Sequence, residues 1–169
     1  MVIGLASVWQ SCVTLSIVAL KFYTELLSKG SLLILWIFTL ILILRSNPQS
    51  LRFFAFHPPS QTLALVFFTS GILTLQPTRQ LREKEVGLRW HQIIQLGLGV
   101  PIILFGSISM FINKFDHHAP HFTSWHGTFG LVALIWLALH ITVGAASVWF
   151  PVEAFGSVDN GKASWKWHR

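Results

Sequence analysis

Residues 124–149 read SWHGTFGLVALIWLALHITVGAASVW. Its 26 residues include no Lys, Arg, Asp or Glu, and about 20 mostly apolar residues are enough for a helix to cross the hydrocarbon core of a bilayer. Pro151 follows and predicts the end of the helix. His126 and His140 lie within the run, and histidine is costly in hydrocarbon unless it is paired or bound to something. The stretch therefore predicts a transmembrane helix that carries functional histidines.

The composition of the whole chain agrees with a membrane protein. Of 169 residues, 53% are hydrophobic and 11% are charged, against about a quarter charged in soluble domains. Aromatic residues make up 14%, which excludes a disordered chain. The net charge of +6 would suggest nucleic acid in a soluble protein, but the basic residues lie between apolar runs, so nucleic acid is not expected as a partner. We predict an all-α, polytopic transmembrane helical bundle.

Three further apolar runs precede the first one quoted. They cover residues 31–44 (extendable back to Leu26), 57–75 and 91–112, and each is predicted to be a helical span. The N-terminal residues carry no charge up to Leu20 and lack the basic segment that opens a secretory signal. We therefore divide the chain into an N-terminal membrane-associated segment, residues 1–27, and a transmembrane domain, residues 28–169.

The positions of the basic residues predict the topology. Cytoplasmic loops of membrane proteins carry an excess of Lys and Arg, which places two segments in the cytoplasm. They contain Arg79, Arg82, Lys84 and Arg89 before the third run, and Lys162, Lys166 and Arg169 after the fourth. The first of these clusters could also attract an anionic electron donor, although topogenic charge explains it equally well.

Four histidines stand at corresponding places of successive helices. His57, His91 and His126 are predicted to open three helices, and His168 stands where another helix would open. Because antiparallel neighbours alternate in direction, His57 and His126 fall on one side of the membrane and His91 and His168 on the other. Two imidazoles from facing helices, with a flat cofactor between them, are how a helical bundle holds six-coordinate haem.

Small residues and one further histidine accompany this pattern. Gly71, Gly130 and Gly144 share a helix face with a histidine, which fits the close approach of a porphyrin but also ordinary helix packing. His140 shares the face of His126, about 21 Å further along the helix. It is either an alternative ligand opposite His91 or a histidine that is hydrogen-bonded inside the bundle.

The loop before the fourth run contains His117, His118 and His121. A surface zinc site is one interpretation, but three histidines in a loop are a weak signal. The alternative interpretation is a solvated loop, with His121 near the edge of the cofactor.

Four short motifs, in this order and at these spacings, resemble the cytochrome b561 family. They are FAFHP at 54–58, RWHQIIQ at 89–95, HFTSWHGTFG at 121–130 and WKWHR at 165–169. The resemblance covers about residues 28–169 and is greatest to the cytochrome b561 domain-containing, transmembrane ascorbate-dependent reductase branch.

The resemblance implies a six-helix fold whose four central helices form a haem-binding core. It pairs His57 with His126 at the non-cytoplasmic haem b, and His91 with His168 at the cytoplasmic one. This chain stops one residue after His168, so we expect the fifth helix to be truncated and the sixth to be absent. The full family pattern has two haems, and this chain would hold one if the His168 site is lost.

The function implied by the resemblance is transmembrane electron transfer. Cytoplasmic ascorbate would be the donor, bound by the basic cluster, and monodehydroascorbate or a ferric chelate the acceptor on the other side, in the endomembrane system or the plasma membrane. Bis-histidine ligation leaves no open iron position and so favours one-electron exchange.

Several alternatives to this reductase stay open. The chain could be a haem-binding membrane anchor subunit without its own reductase activity, or a transporter whose histidines relay protons or bind metal. Besides the lipid bilayer and the small molecules, a homodimer is a further partner to consider.

Overall fold

The computed structural model describes the backbone of residues 2–75 and 80–168, and the side chains of these residues except 2–12, 14, 17 and 21. All regular structure within these ranges is helical, with no strand, so the all-α prediction is confirmed. In chain order the elements are α1 (Val2–Arg45), α2 (Pro48–Leu51), a 3₁₀ turn (Arg52–Phe56), α3 (His57–Leu73), α4 (Leu81–Ile94), a π-helical turn (Gln95–Gly99), α5 (Val100–Asp116), α6 (Trp125–Trp149), α7 (Pro151–Phe155) and α8 (Val158–His168).

The chain divides into two compact units. The first ends at His118 and contains α1 to α5, and the second begins at Ala119 and contains α6 to α8. His57 and His91 therefore belong to the first unit, and His126, His140 and His168 to the second.

Three helices among the described residues are long and apolar enough to cross a membrane: Val18–Arg45, Leu81–Asp116 and Trp125–Trp149. The predicted run 57–75 forms the 17-residue helix α3, which is about 26 Å long at 1.5 Å per residue. This length is slightly less than the hydrocarbon core of about 30 Å, and α3 is not among the three helices named above. The chain is an integral membrane protein.

The N-terminal segment and the first apolar run form one continuous helix. α1 has 44 residues and is therefore about 66 Å long, about twice the thickness of the hydrocarbon core. The expected boundary between residues 27 and 28 lies inside this helix. Polar side chains there bond within the helix, as Ser28 Oγ does to the carbonyl oxygen of Thr24 at 2.8 Å.

Tight backbone geometry reverses the chain between α1 and α3. Asn47 and Arg52 both have positive φ angles, 56° and 50°, and such angles are uncommon outside glycine. Arg52 Nη2 lies 3.7 Å from Asp116 Oδ2 at the end of α5. Pro58 is suited to the first turn of α3, where its missing N–H costs no hydrogen bond. His57 opens this helix, as predicted.

The third span begins earlier than predicted. α4 starts at Leu81, so His91 lies about 15 Å inside the helix, and the prediction that it opens the helix is wrong. The reason is that the preceding Arg, Glu and Lys residues are good helix formers although they are polar. Pro101 then removes a backbone N–H and crowds the carbonyl four residues earlier, and the helix widens into the π turn just before it.

The second unit is built around α6. Ser124 caps this helix and accepts a hydrogen bond on Oγ from the Gly127 N–H at 3.2 Å, so His126 lies in the first turn, as predicted. α8 begins at Val158, ten residues before His168, so the prediction that His168 opens a helix is wrong. α8 approaches α7 closely at Gly161, where an added Cβ would lie 2.8 Å from Cβ of Pro151.

Candidate functional site

His57 is held by the backbone of α5. Its Nδ1 lies 2.9 Å from the carbonyl oxygen of Gly106. A carbonyl can only accept a hydrogen bond, so Nδ1 donates, and Nε2 is the ring nitrogen that could bind a metal. Gly106 permits this approach, since an added Cβ would lie 2.7 Å from Cβ of Ser60. A histidine that donates Nδ1–H to a carbonyl is the usual arrangement of a metal ligand that binds through Nε2.

His91 has the same arrangement on α3. Its Nδ1 lies 3.0 Å from the carbonyl oxygen of Gly71, which is among the last four residues of α3, where carbonyls lack N–H partners in the helix. Thr74 Oγ1 lies 2.7 Å from the same oxygen and 3.0 Å from the carbonyl oxygen of Gly87. An added Cβ at Gly87 would collide with the carbonyl oxygen of Thr74, so this glycine brings α4 close enough for His91 to reach α3.

Gln95 accompanies His91 one turn further along. Its Nε2 donates to the carbonyl oxygen of Phe68 at 3.1 Å, and an added Cβ at Gly71 would lie 3.0 Å from its Cδ. Gln95 Oε1 is buried and accepts no hydrogen bond from any described residue. Gln95 was not predicted as a site residue from the sequence, although it ends the RWHQIIQ motif and lies four residues after His91.

His168 is fixed within the second unit. Its Nδ1 lies 3.0 Å from the carbonyl oxygen of His140, so Nε2 is again the ring nitrogen that could bind a metal. Gly144 makes room for the ring, because an added Cβ would lie 2.7 Å from Nδ1 of His168 and closer still to Cε1. Trp165 Nε1 donates to Ser147 Oγ at 3.1 Å and ties α8 to α6.

His140 packs against His168. Their ring centroids are 4.2 Å apart and the ring planes differ by 17°. Two imidazoles that bind the same metal ion each direct a nitrogen at it from about 2 Å. The stacked rings of His140 and His168 cannot adopt that arrangement, so they do not bind one ion together. His140 therefore supports His168 in this arrangement, while its role as an alternative ligand stays a prediction.

His126 lies exposed in the first turn of α6. The adjacent Trp125 stacks on Phe129, with 5.7 Å between ring centroids. One turn further along, an added Cβ at Gly130 would meet no atom within 4 Å. His126 thus keeps its predicted place at the end of the span, beside a position where the backbone is uncovered.

The loop histidines gather no metal site. His117 Nδ1 lies 2.6 Å from the carbonyl oxygen of Asn113 at the end of α5. Within residues 2–75 and 80–168, no group of three or more His, Cys, Asp or Glu side chains is placed to hold a metal ion. The zinc interpretation therefore gains no support from the geometry.

The predicted basic cluster borders an open groove of about 390 Å³ in the first unit. Arg82 lines the groove, whereas Lys84 and Arg89 do not, and Arg79 lies outside the described residues. The groove is lined by Thr74, Gln80, Arg82, Glu83, Val86, Gly87 and Trp90. Its volume is within the range of small-molecule sites, and Trp90 is the direct neighbour of His91.

The residues fit a haem. In three of the four predicted ligands Nδ1 donates to a backbone carbonyl, so Nε2 is the ring nitrogen that would bind haem iron. The buried Oε1 of Gln95, which has no hydrogen-bond partner among residues 2–75 and 80–168, belongs to a residue one turn from one of these ligands. This donor set suits axial ligation better than a closed zinc site, which takes four ligands.

Comparison with known proteins agrees with this chemistry. The family model described as eukaryotic cytochrome b561 matches residues 56–169. The curated protein "transmembrane reductase CYB561D2" from Bos taurus is 29% identical over 111 residues, which are 63% of this chain and 49% of that protein. The protein of the same name from Mus musculus is 30% identical, with the same shares covered.

This chain thus spans about half the length of the curated relatives it matches. No solved structure matches it significantly. The family model covers well over half of the chain, including the four histidines singled out above. The chain therefore belongs to the eukaryotic cytochrome b561 family.

Proposed function

We propose that the protein transfers single electrons across the membrane through b-type haem, as a transmembrane oxidoreductase. The observation that carries this proposal is a hydrogen bond that His57, His91 and His168 have in common. Each donates Nδ1–H to a backbone carbonyl. Both relatives are named as transmembrane reductases, which supports the same class of activity.

Four histidines are the proposed axial ligands. We pair His57 with His126, and His91 with His168, on the basis of their spacing along the chain and the resemblance to the family. When bound, the haem supplies a one-electron ferric–ferrous couple. The protein's part would be to hold the iron through Nε2 of these rings, three of which are fixed by a backbone carbonyl, and two histidine ligands per iron would disfavour oxygen binding.

The proposed donor is ascorbate, bound at the groove beside Trp90. Arg82 would hold the anion through charge-assisted hydrogen bonds, and Glu83 could accept a hydrogen bond from a hydroxyl of the same molecule. The groove lies on the predicted cytoplasmic side. The proposed acceptor on the other side is monodehydroascorbate or a ferric chelate.

The experiment that tests this function is a haem count on the purified chain and its histidine variants, expressed with ample haem. Reduced-minus-oxidised spectra and haem per polypeptide are measured after addition of ascorbate. We expect His57→Ala and His126→Ala each to lose one haem, and the variant with both substitutions to lose no more than either alone. The matched control His121→Ala should keep the full content.

A colourless wild-type chain would overturn the proposal. A chain that binds haem but is not reduced by ascorbate would point instead to a haem-binding membrane anchor subunit.

A further inference from the structure

We propose that Gln95 is a positioning residue that keeps His91 aligned and sets the reduction potential of the haem that His91 holds. This inference rests on the proposed function, because it concerns the same site. It assigns a role to a side chain that the ligand pattern leaves out.

The first argument is the way in which Gln95 joins two helices. His91 Nδ1 and Gln95 Nε2 donate to the carbonyl oxygens of Gly71 and Phe68, at 3.0 and 3.1 Å. The two acceptors lie three residues apart on α3 and the two donors four residues apart on the facing helix. The two bonds are therefore adjacent and parallel, and Gln95 resists a rotation of its helix that would turn the His91 ring.

The second argument is the local distortion of the helix. Gln95 is the first residue of the π turn that ends at Gly99, and π turns occur frequently at functional sites. The wider turn changes the register of the helix just after His91. The hydrogen bond from Gln95 to Phe68 of α3 holds the first residue of the π turn in place relative to α3.

The side-chain oxygen of Gln95 also has an unusual environment. Gln95 Oε1 is buried and has no hydrogen-bond partner among the described residues, and such groups are rare enough in folded proteins to require a reason. The amide cannot simply be reversed, because that would bring Oε1 against the carbonyl oxygen of Phe68, which now accepts from Nε2. The oxygen is held in place by the bond on the other side of the amide.

An oxygen fixed in this way acts on nearby charge. The iron–porphyrin core, its propionates aside, would carry one positive charge with ferric iron and none with ferrous iron when both ligands are neutral imidazoles. The negative end of the Gln95 dipole, one turn from His91, therefore stabilises the oxidised state, and more strongly in an apolar interior than in water. Removing the oxygen should make this haem easier to reduce.

The test is a spectroelectrochemical titration of the purified, haem-loaded full chain. In Gln95→Leu, we expect the ratio of oxidised to reduced haem at a fixed potential to fall about fivefold at the His91 site, the size of change that a single polar interaction produces. The other haem should not change. Gln92→Leu is the matched control, with the same exchange three residues away, and should leave both haems as in the wild type.

A second variant separates the oxygen from the anchor. In Gln95→Glu, a protonated side chain can donate to Phe68 while its carbonyl oxygen takes the place of Oε1, and an ionised one adds negative charge. The ratio should then stay the same or rise, and it should not fall. If Gln95→Leu loses the His91 haem while the fold persists, this result supports the positioning role.

Three results overturn the inference. They are an unchanged or raised ratio in Gln95→Leu, a fall of equal size in Gln95→Glu, and an equal change in the control Gln92→Leu. In each case the wild-type chain still binds haem, so the proposed function stands. A wild-type chain without haem overturns both.

Discussion

At the scale of single residues, the candidate ligands depend on glycines beside them more than on other side chains. The ring of His168 fills the space over Gly144, where an added Cβ would lie 2.7 Å from Nδ1. On the same helix, an added Cβ at Gly130 would meet no atom within 4 Å. Two glycines that the sequence pattern treats alike thus have different surroundings.

This difference gives a paired prediction on α6. Gly144→Ala should push the ring of His168 away and cost about 1–3 kcal/mol, as overpacking usually does, with loss of the haem assigned to His91 and His168. Gly130→Ala should leave this haem bound, because Gly130 lies beside His126 and not beside His168. Haem per polypeptide and the reduced-minus-oxidised spectrum, measured beside the protein yield, distinguish the two variants, and loss of the His91–His168 haem in both would contradict the packing described here.

At the scale of helices, the crossing of α3 and α4 decides where His91 lies. Gly87 rests directly on the carbonyl oxygen of Thr74, one turn before His91 on the same face. The contact is to backbone, which cannot turn aside as a side chain can. The separation of the two helices at this point is therefore set by the absence of a side chain.

A substitution at this crossing should act on both stability and the site. Gly87→Ala should separate α4 from α3, cost about 1–3 kcal/mol and weaken the bond from His91 to Gly71. Gly97→Ala, in the same continuous helix, adds a methyl group where nothing lies within 4 Å and serves as the control. Thermal unfolding in detergent measures the effect, and a Gly87→Ala protein as stable as the control would refute the account.

Much of this architecture could be predicted from the sequence, and the remainder depended on contacts that a sequence does not show. The apolar runs predicted helices correctly because lipid leaves the backbone no other hydrogen-bond partners. His57 and His126 were placed correctly because Pro58 and Ser124 mark helix starts. The start of α4 was missed because its polar residues favour helix without being apolar. The role proposed for Gln95 depends on a bond between helices, and no local pattern shows it.

At the scale of the whole molecule, the distribution of charge links topology to the proposed donor site. The net charge of the chain is +6, and the basic segment before His91, which forms the first turns of α4, also forms one wall of the groove. Only Arg82 among the described basic residues of this cluster lines the groove. Substitution of Arg82 should therefore weaken binding of the anion, whereas substitution of Lys84 or Arg89 should not.

Arg82→Gln should therefore raise the KM for ascorbate about tenfold with little change in kcat, as the loss of one charge-assisted hydrogen bond predicts. Lys84→Gln removes the same charge from the same segment but lies outside the groove, and should change KM much less. Steady-state reduction by ascorbate in vesicles, at several salt concentrations, gives both values. A KM that rises equally in both variants would mean that charge near the membrane, and not contact in the groove, attracts the donor.

The acceptors of the three fixed histidines have an evolutionary consequence. Gly106, Gly71 and His140 offer main-chain oxygens, which every amino acid possesses. No codon change can delete such an oxygen, so a mutation can misdirect these rings only by displacing a helix or by crowding the ring, as an added Cβ at Gly144 would. At residue 140 in particular, any replacement keeps the oxygen that His168 bonds to and removes only the ring that stacks on His168.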